Sequence, residues 1–201
     1  LSFCRFYVIS ERVMKMENKK KLPKRKSTRL KSFDYSSAGV YFVTICVHER
    51  MQILSEIVGE GLAPPAITIK LKPCGEVVRE QLQLIEARFP SVTIEDYVIM
   101  PDHIHANIFL HENEGGESPS PTLNDIICAF KSLTSRSCKQ KCGIEKIFQR
   151  SSAEHIIRGR EDYETHKKYI YENPMRWYYR HLNTKESGNK NESGAIKYHD
   201  N

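Results

Sequence analysis

No Cys-x-x-Cys pair occurs in this chain, although it holds six cysteines, Cys4, Cys46, Cys74, Cys128, Cys138 and Cys142. Cys138 and Cys142 stand four apart, but no second pair supplies the other half of a zinc site. Cys46 falls in an apolar run, where a thiol acts as a small hydrophobe. The expectation is reduced thiols in a cytoplasmic protein. No apolar run approaches the ~18 residues that a membrane span needs, and nothing at the start reads as a signal peptide, so a membrane partner is not expected. Internal repeats are missing too. The sequence opens at Leu1 with Met14 and Met16 downstream, so the first fifteen or so residues are read as lying upstream of the natural start and are given no role.

Acidic residues are absent from one stretch in particular. From Lys19 to Lys31 eight of thirteen residues are Lys or Arg and none is Asp or Glu. Such a block repels itself, stays solvated and suits a phosphate backbone, though a plain solubilising tail reads the same way. The whole chain, 201 residues at a formal +6, carries only a mild bias toward an anionic partner. That length buries a sizeable core without disulfides or a structural metal. The expected division is a basic, flexible arm over 1–31, one folded domain over 32–180 and a polar, disordered tail over 181–201.

Residues 40–47 are rich in β-branched and aromatic types and predict a buried strand. Residues 59–66 carry turn signals, and 67–71 alternates as a short strand ahead of Pro73. Val78, Leu82, Ile85 and Phe89 fall at helical spacing, with Pro90 as the stop. Residues 93–110 are strand-like on both sides of Pro101-Asp102, and 112–121 is a Gly-, Ser- and Pro-rich loop. Leu123, Ile126, Ile127, Phe130 and Leu133 mark a second amphipathic helix. A third helical stretch runs from about Asp162 into Tyr179, interrupted at Asn173-Pro174, because the residue before proline avoids the α region. Strands with helices interleaved predict an α+β sandwich, with helices packed on one face of a mainly antiparallel sheet.

Two segments carry chemistry. In Pro101-Asp102-His103-Ile104-His105, strand alternation points both imidazoles the same way and turns Ile104 into the core. Such a pair can share one metal ion, or be two surface histidines on a half-exposed sheet. In Tyr169-Ile170-Tyr171-Glu172-Asn173-Pro174, Tyr169 and Asn173 are four apart and share a helix face, whereas Tyr171 is rotated away. Ile170, Pro174 and Trp177 are expected to form an opposing apolar stripe. Tyr, Ile and Trp at helical spacing also fit an ordinary core.

Together these segments resemble the HUH single-tyrosine transposases, whose mark is a His-hydrophobic-His strand. Phe148-Gln149-Arg150, His155-Ile156-Ile157-Arg158 and the Tyr169–Pro174 run are similar to the REP-associated branch, as is Tyr41-Phe42-Val43-Thr44 on the first strand. The resemblance spans roughly residues 24 to 180. It departs from the branch after Gln149-Arg150, where Ser151, Ser152, Ala153 and Glu154 replace the usual aromatic and acid. The resemblance implies a ferredoxin-like fold, His103, His105 and Asn173 as ligands of a divalent metal (Mg²⁺ or Mn²⁺), and Tyr169 as the nucleophile. It further implies attack on single-stranded or hairpin DNA to give a 5′-phosphotyrosine link and a free 3′-OH, by a monomer or a homodimer.

DNA contacts are expected from Lys24, Arg25, Lys26 and Arg29 in the arm, and from Lys131 and Arg136 on the second helix. His166, three residues before Tyr169, is the one further histidine singled out as a catalytic helper. Rival readings are a replication-initiator or relaxase type, which usually carries a longer histidine motif or a second catalytic tyrosine, and a domesticated DNA-binding protein of the same fold. The latter would be marked by loss of Tyr169 or a histidine, and all are present.

Overall fold

Tyr41, Val43 and Ile45 alternate with half-exposed neighbours along the first strand, so one side of the sheet is written directly into its sequence. The computed structural model describes residues 37–60, 65–112 and 121–189, all within the second of two units, Lys31–Asn201. Its strands are β1 (Gly39–Cys46), β2 (Ser55–Glu60), β3 (Ala66–Leu71), β4 (Val92–Ile99), β5 (His103–Leu110) and β6 (Ala153–Ile157). Its helices are α1 (Pro73–Gln83), α2 (Ile85–Arg88), α3 (Leu123–Cys142) and α4 (Arg160–Asn189).

The main sheet has the order β4-β5-β1-β6 with every neighbouring pair antiparallel, and β2–β3 form a separate hairpin. Leaving that hairpin aside, the chain runs β1-α1-β4-β5-α3-β6, a βαββαβ ferredoxin-like sandwich closed by the extra helix α4. On one face, Tyr41, Val43, Ile45, Ile104, Ala106 and Ile108 meet Val77, Val78 and Leu82 of α1 and Ile126, Ile127 and Phe130 of α3. Thr122 caps α3 through a reciprocal box with Asp125, and Gly143 ends it in the left-handed region at φ 70°.

The structure corrects the sequence reading in several places. Helices cover both faces of the sheet, because α4 crosses the other side and packs Ile170 on Val98 and Met100, with Phe42, Ile57, Ile69 and Trp177 around them. That stripe is only one residue wide per turn, which is why periodicity did not reveal which face it covers. The expected break at Asn173-Pro174 does not occur: α4 is continuous, with Pro174 inside it. Proline costs a helix interior about 3 kcal/mol, and the burial of Ile170 before it and the packing of Trp177 after it hold the helix together. α4 also continues to Asn189, beyond the expected limit at Arg180. The single helix predicted through Val78, Leu82, Ile85 and Phe89 starts as early as Pro73, which stands in its first turn, and divides at Leu84 into α1 and α2. β2 and β6 were not anticipated; β2 lies in a run read partly as turn, and β6 is a short edge strand after two serines. Residues 61–64 and 113–120, which hold most of the two predicted turn and loop segments, lie outside the described residues. No helix among the described residues is long and apolar enough to cross a membrane.

α1 enters against the segment before β2 so closely that a Cβ on Gly75 would run into the backbone carbonyl of Leu54. A carbonyl in a packed core has little room to retreat. Gly75→Ala is therefore expected to destabilise the fold by about 1–3 kcal/mol, the usual cost of overpacking, read as a lower urea midpoint at unchanged slope. Wild-type stability in this variant would show that the α1 entry is loosely held.

Candidate functional site

The register of β5 against β1 sets His105 opposite Thr44 and His103 opposite Cys46, on the face that α4 covers. Ile104 turns to the main core, as expected. Both histidines are buried, not displayed on an open sheet. Their rings lie 4.6 Å apart between centroids, nearly perpendicular. His103 Nδ1 is 2.5 Å from Asp102 Oδ1, and Arg50 Nε is 3.3 Å from the other carboxylate oxygen. Burial works to raise the Asp102 pKa, but the hydrogen bond to His103, with the charges of His103 and Arg50, outweighs it and holds the carboxyl below its ordinary range. With Nδ1 donating to that carboxylate, Nε2 of His103 is left as the acceptor nitrogen.

His105 is held differently. Its Nδ1 lies 2.8 Å from Thr44 Oγ1, and its Nε2 is buried with no hydrogen-bond partner among the described residues. Burial, then the charges of His103 and Arg50, push its pKa down to about 3, so the ring is neutral at physiological pH. An unpaired buried nitrogen is costly unless something binds it. The side chain of Asn107, on the same face, is likewise buried with both polar atoms unpartnered. The sequence reading passed over Asn107, although the alternation 103, 105, 107 was the signal that places it there.

α4 brings the second segment to this face. The Tyr169 ring stands edge-on to His105 at 5.2 Å and to Phe42 at 5.9 Å, while the residue remains 37 % exposed. Trp177 lies 5.9 Å from His103. Asn173 is one turn from each of these aromatics and is buried. The Arg176 guanidinium carbon sits 5.7 Å from the Tyr169 ring centre, and the same side chain pairs with Glu172 at 2.7 Å. Trp177 touches the histidine strand and also packs around Ile170, and Pro174 is buried. Ile170, Pro174 and Trp177 thus do form an apolar stripe toward the sheet, with Ile170 at its centre and Trp177 reaching the histidine side.

Tyr171 occupies the other flank. Its hydroxyl donates to Asp96 Oδ1 at 3.0 Å, Tyr163 reaches Asp96 Oδ2 at 2.8 Å, and Lys167 lies 3.6 Å away. Asp96 is buried just after an irregularity in β4, where the pairing shifts between Ile94 and Asp96. Burial and the bond to Asp96 raise the Tyr163 pKa, and for Tyr171 the bond to Asp96 is the main cause of a rise. This anchor, which sets how α4 is rotated over the sheet, had no sequence signal beyond the 163, 167, 171 spacing.

The remaining candidates are dispersed. Lys24, Arg25, Lys26 and Arg29 lie outside the described residues. Lys131 is not the open cation expected of a DNA contact: its ammonium donates to the carbonyls of Gln149 and Arg150 at 2.6 and 3.1 Å, and burial lowers its pKa. Arg136 is exposed on α3. His166 packs on Phe42 at 4.6 Å and stacks on His155, and both imidazoles pair with Asp162.

No protein-family model matches the chain. An uncharacterised Haemophilus influenzae protein is 30 % identical over 168 residues, 76 % of this chain and 89 % of that one. A second Haemophilus influenzae protein, provisionally named a REP-associated tyrosine transposase, is 28 % identical over 150 residues, 71 % of this chain and 74 % of its own length. The Escherichia coli REP-associated tyrosine transposase is 32 % identical over 83 residues, 44 % of its length. Among solved structures, a REP-associated tyrosine transposase bound to a REP hairpin superposes with a TM-score of 0.51 at 23 % identity, covering 74 % of this chain and 73 % of that one, and shares the fold. Sequence likeness and fold thus place the chain in the transposase class. The named proteins it is similar to within that class are REP-associated tyrosine transposases.

Proposed function

We propose that this protein cuts and rejoins single-stranded, hairpin-forming DNA in a divalent-metal-dependent reaction, with Tyr169 as the nucleophile. The observation that carries this reading is the partly exposed Tyr169 phenol packed against His105, whose free nitrogen is buried and unpaired. Hairpin DNA as substrate is supported by the solved relative bound to a REP hairpin.

The donor set fits a hard or borderline divalent ion. His103 and His105 would hold it through Nε2, with the Asn173 carboxamide oxygen as third donor, a mixed N/O set suited to Mn²⁺ or, with water added, Mg²⁺. Bound there, such an ion supplies charge neutralisation at the scissile phosphate. Asp102 and Thr44 hold the two imidazoles in place, and Arg50 supports Asp102. Tyr169 attacks phosphorus through its phenolic oxygen, forming the 5′-phosphotyrosine bond as the bond to the 3′ oxygen breaks. The phenol proton leaves to solvent, and the departing oxygen takes up a proton to become the 3′-OH. A free phenol, with a pKa near about 10, is a weak nucleophile at neutral pH, so nearby positive charge favours the attack. Arg176 is the cation beside the ring. A second strand's 3′-OH reverses the step with no nucleotide cofactor, because the phosphotyrosine retains the diester energy. Capture of DNA falls to Lys24, Arg25, Lys26 and Arg29 of the arm and to Arg136.

The test is covalent capture. Wild-type protein incubated with a labelled hairpin oligonucleotide carrying single-stranded flanks is expected to give a slowly migrating protein–DNA band on a denaturing gel with Mn²⁺ or Mg²⁺, and none with EDTA. Binding without any adduct under both ions would instead support a DNA-binding protein that has lost the chemistry.

A further inference from the structure

The cysteines, which show no metal-site spacing in sequence, converge in space. Cys74 lies in the first turn of α1, and Cys138 and Cys142 face it from the last two turns of α3. All three are free thiols whose sulfurs lie within 4.8 Å of one another. Cys74 and Cys138 are buried, while Cys142 is partly exposed at the helix end. The missing partner for the Cys138–Cys142 pair is thus a residue more than sixty positions away.

We propose that Cys74, Cys138 and Cys142 form a tri-thiolate site for a thiophilic d¹⁰ ion of the zinc class, stapling the start of α1 to the end of α3. Zinc–sulfur bonds of about 2.3 Å put tetrahedral sulfurs roughly 3.8 Å apart, so the three thiols need to move together only slightly. Sulfur ligands select soft ions, whereas the imidazole and amide groups beneath α4 suit harder ones. The two sites also lie on opposite faces of the sheet, since α1 and α3 cover the main core and α4 covers the histidines. Cys142, at the surface end, gives the ion its way in and leaves room for a water as fourth ligand.

Without an ion Cys74 and Cys138 are held as thiols. Burial raises Cys138 to about 11 and Cys74 further still. Binding therefore releases the thiol protons to solvent as sulfur–metal bonds form, and affinity falls at low pH. Buried thiols such as Cys74 and Cys138 commonly serve as small packing hydrophobes. Two features set this group apart: sulfurs from two separate helices meet at one point, and that point reaches the surface through Cys142.

The experiment uses full-length protein, reduced and stripped with chelator, then titrated with Co²⁺ as a spectroscopic probe. A thiolate-to-cobalt charge-transfer band in the near ultraviolet reports sulfur ligation alone, so the histidine pair does not contribute. The expected result is such a band saturating at one equivalent, displaced by Zn²⁺, with a zinc-dependent rise in Tm. Cys142→Ser and Cys142→Ala should each weaken the ion at least tenfold and remove the Tm response, with unchanged far-ultraviolet circular dichroism. Absence of the band in wild type overturns the proposal, as does a band of full strength and affinity in both variants. Because the readout involves no DNA, failure here leaves the transposase reading intact.

Discussion

Tyr169→Phe is expected to fold, to bind hairpin DNA with wild-type affinity and to give no covalent protein–DNA adduct, while Tyr171→Phe keeps the adduct. Two helical positions amount to about 200° of rotation at 3.6 residues per turn. The structure makes that difference concrete. Ile170 points into the sheet, Tyr169 falls on the flank that touches His105 and Phe42, and Tyr171 falls on the flank that reaches Asp96. Removing the Tyr169 hydroxyl deletes the one atom that, in the proposed reaction, forms the bond to phosphorus, and leaves the ring contacts in place. Removing the Tyr171 hydroxyl takes one donor from Asp96, which retains Tyr163 and Lys167. The cost should be about 1 kcal/mol, a typical net hydrogen-bond contribution. An adduct that persisted in Tyr169→Phe and vanished in Tyr171→Phe would reverse the assignment and remove the basis for Asn173 as a ligand.

The second large effect concerns the histidines. His103→Ala and His105→Ala should each reduce cleavage below detection in Mn²⁺, with far-ultraviolet circular dichroism preserved. Calorimetric Mn²⁺ binding should be lost in the double variant. His105→Ala removes a ring whose Nε2 has no hydrogen-bond partner among the described residues, so they lose packing but no hydrogen bond from that atom. Asp102→Ala acts at one remove, by freeing His103 to rotate. It should weaken metal binding and cleavage by about 10- to 100-fold, the usual range for a residue that orients a metal-bound imidazole, with partial recovery at high Mn²⁺. Cleavage at wild-type rates by the double variant in chelator-treated buffer would end the metal reading.

The sequence alone determined a good deal about this protein. β-branched and aromatic content marked β1, strand-like runs on both sides of Pro101-Asp102 marked the two arms of β4–β5, and strand alternation placed His103 and His105 together with Ile104 opposed. Those features are local: each depends on the direction of side chains along one strand, and a buried face leaves the period no freedom. Helical spacing likewise paired Tyr169 with Asn173, and these two stand on the side of α4 that meets the histidine strand, together with Trp177.

What only the tertiary structure decided involves partners distant in sequence. Helix α4 runs unbroken through Pro174 because packing on both sides of the proline outweighs its local cost, a term that no window of sequence contains. Lys131 reads as a surface charge by composition, yet the fold turns it onto the carbonyls of residues 149–151. Asp96 becomes the anchor of α4 through an irregularity in strand pairing, and Cys74 meets Cys138 and Cys142 only when α1 lies against α3. In each case the deciding energy is burial or pairing between elements, and it comes into existence only once the chain has closed on itself.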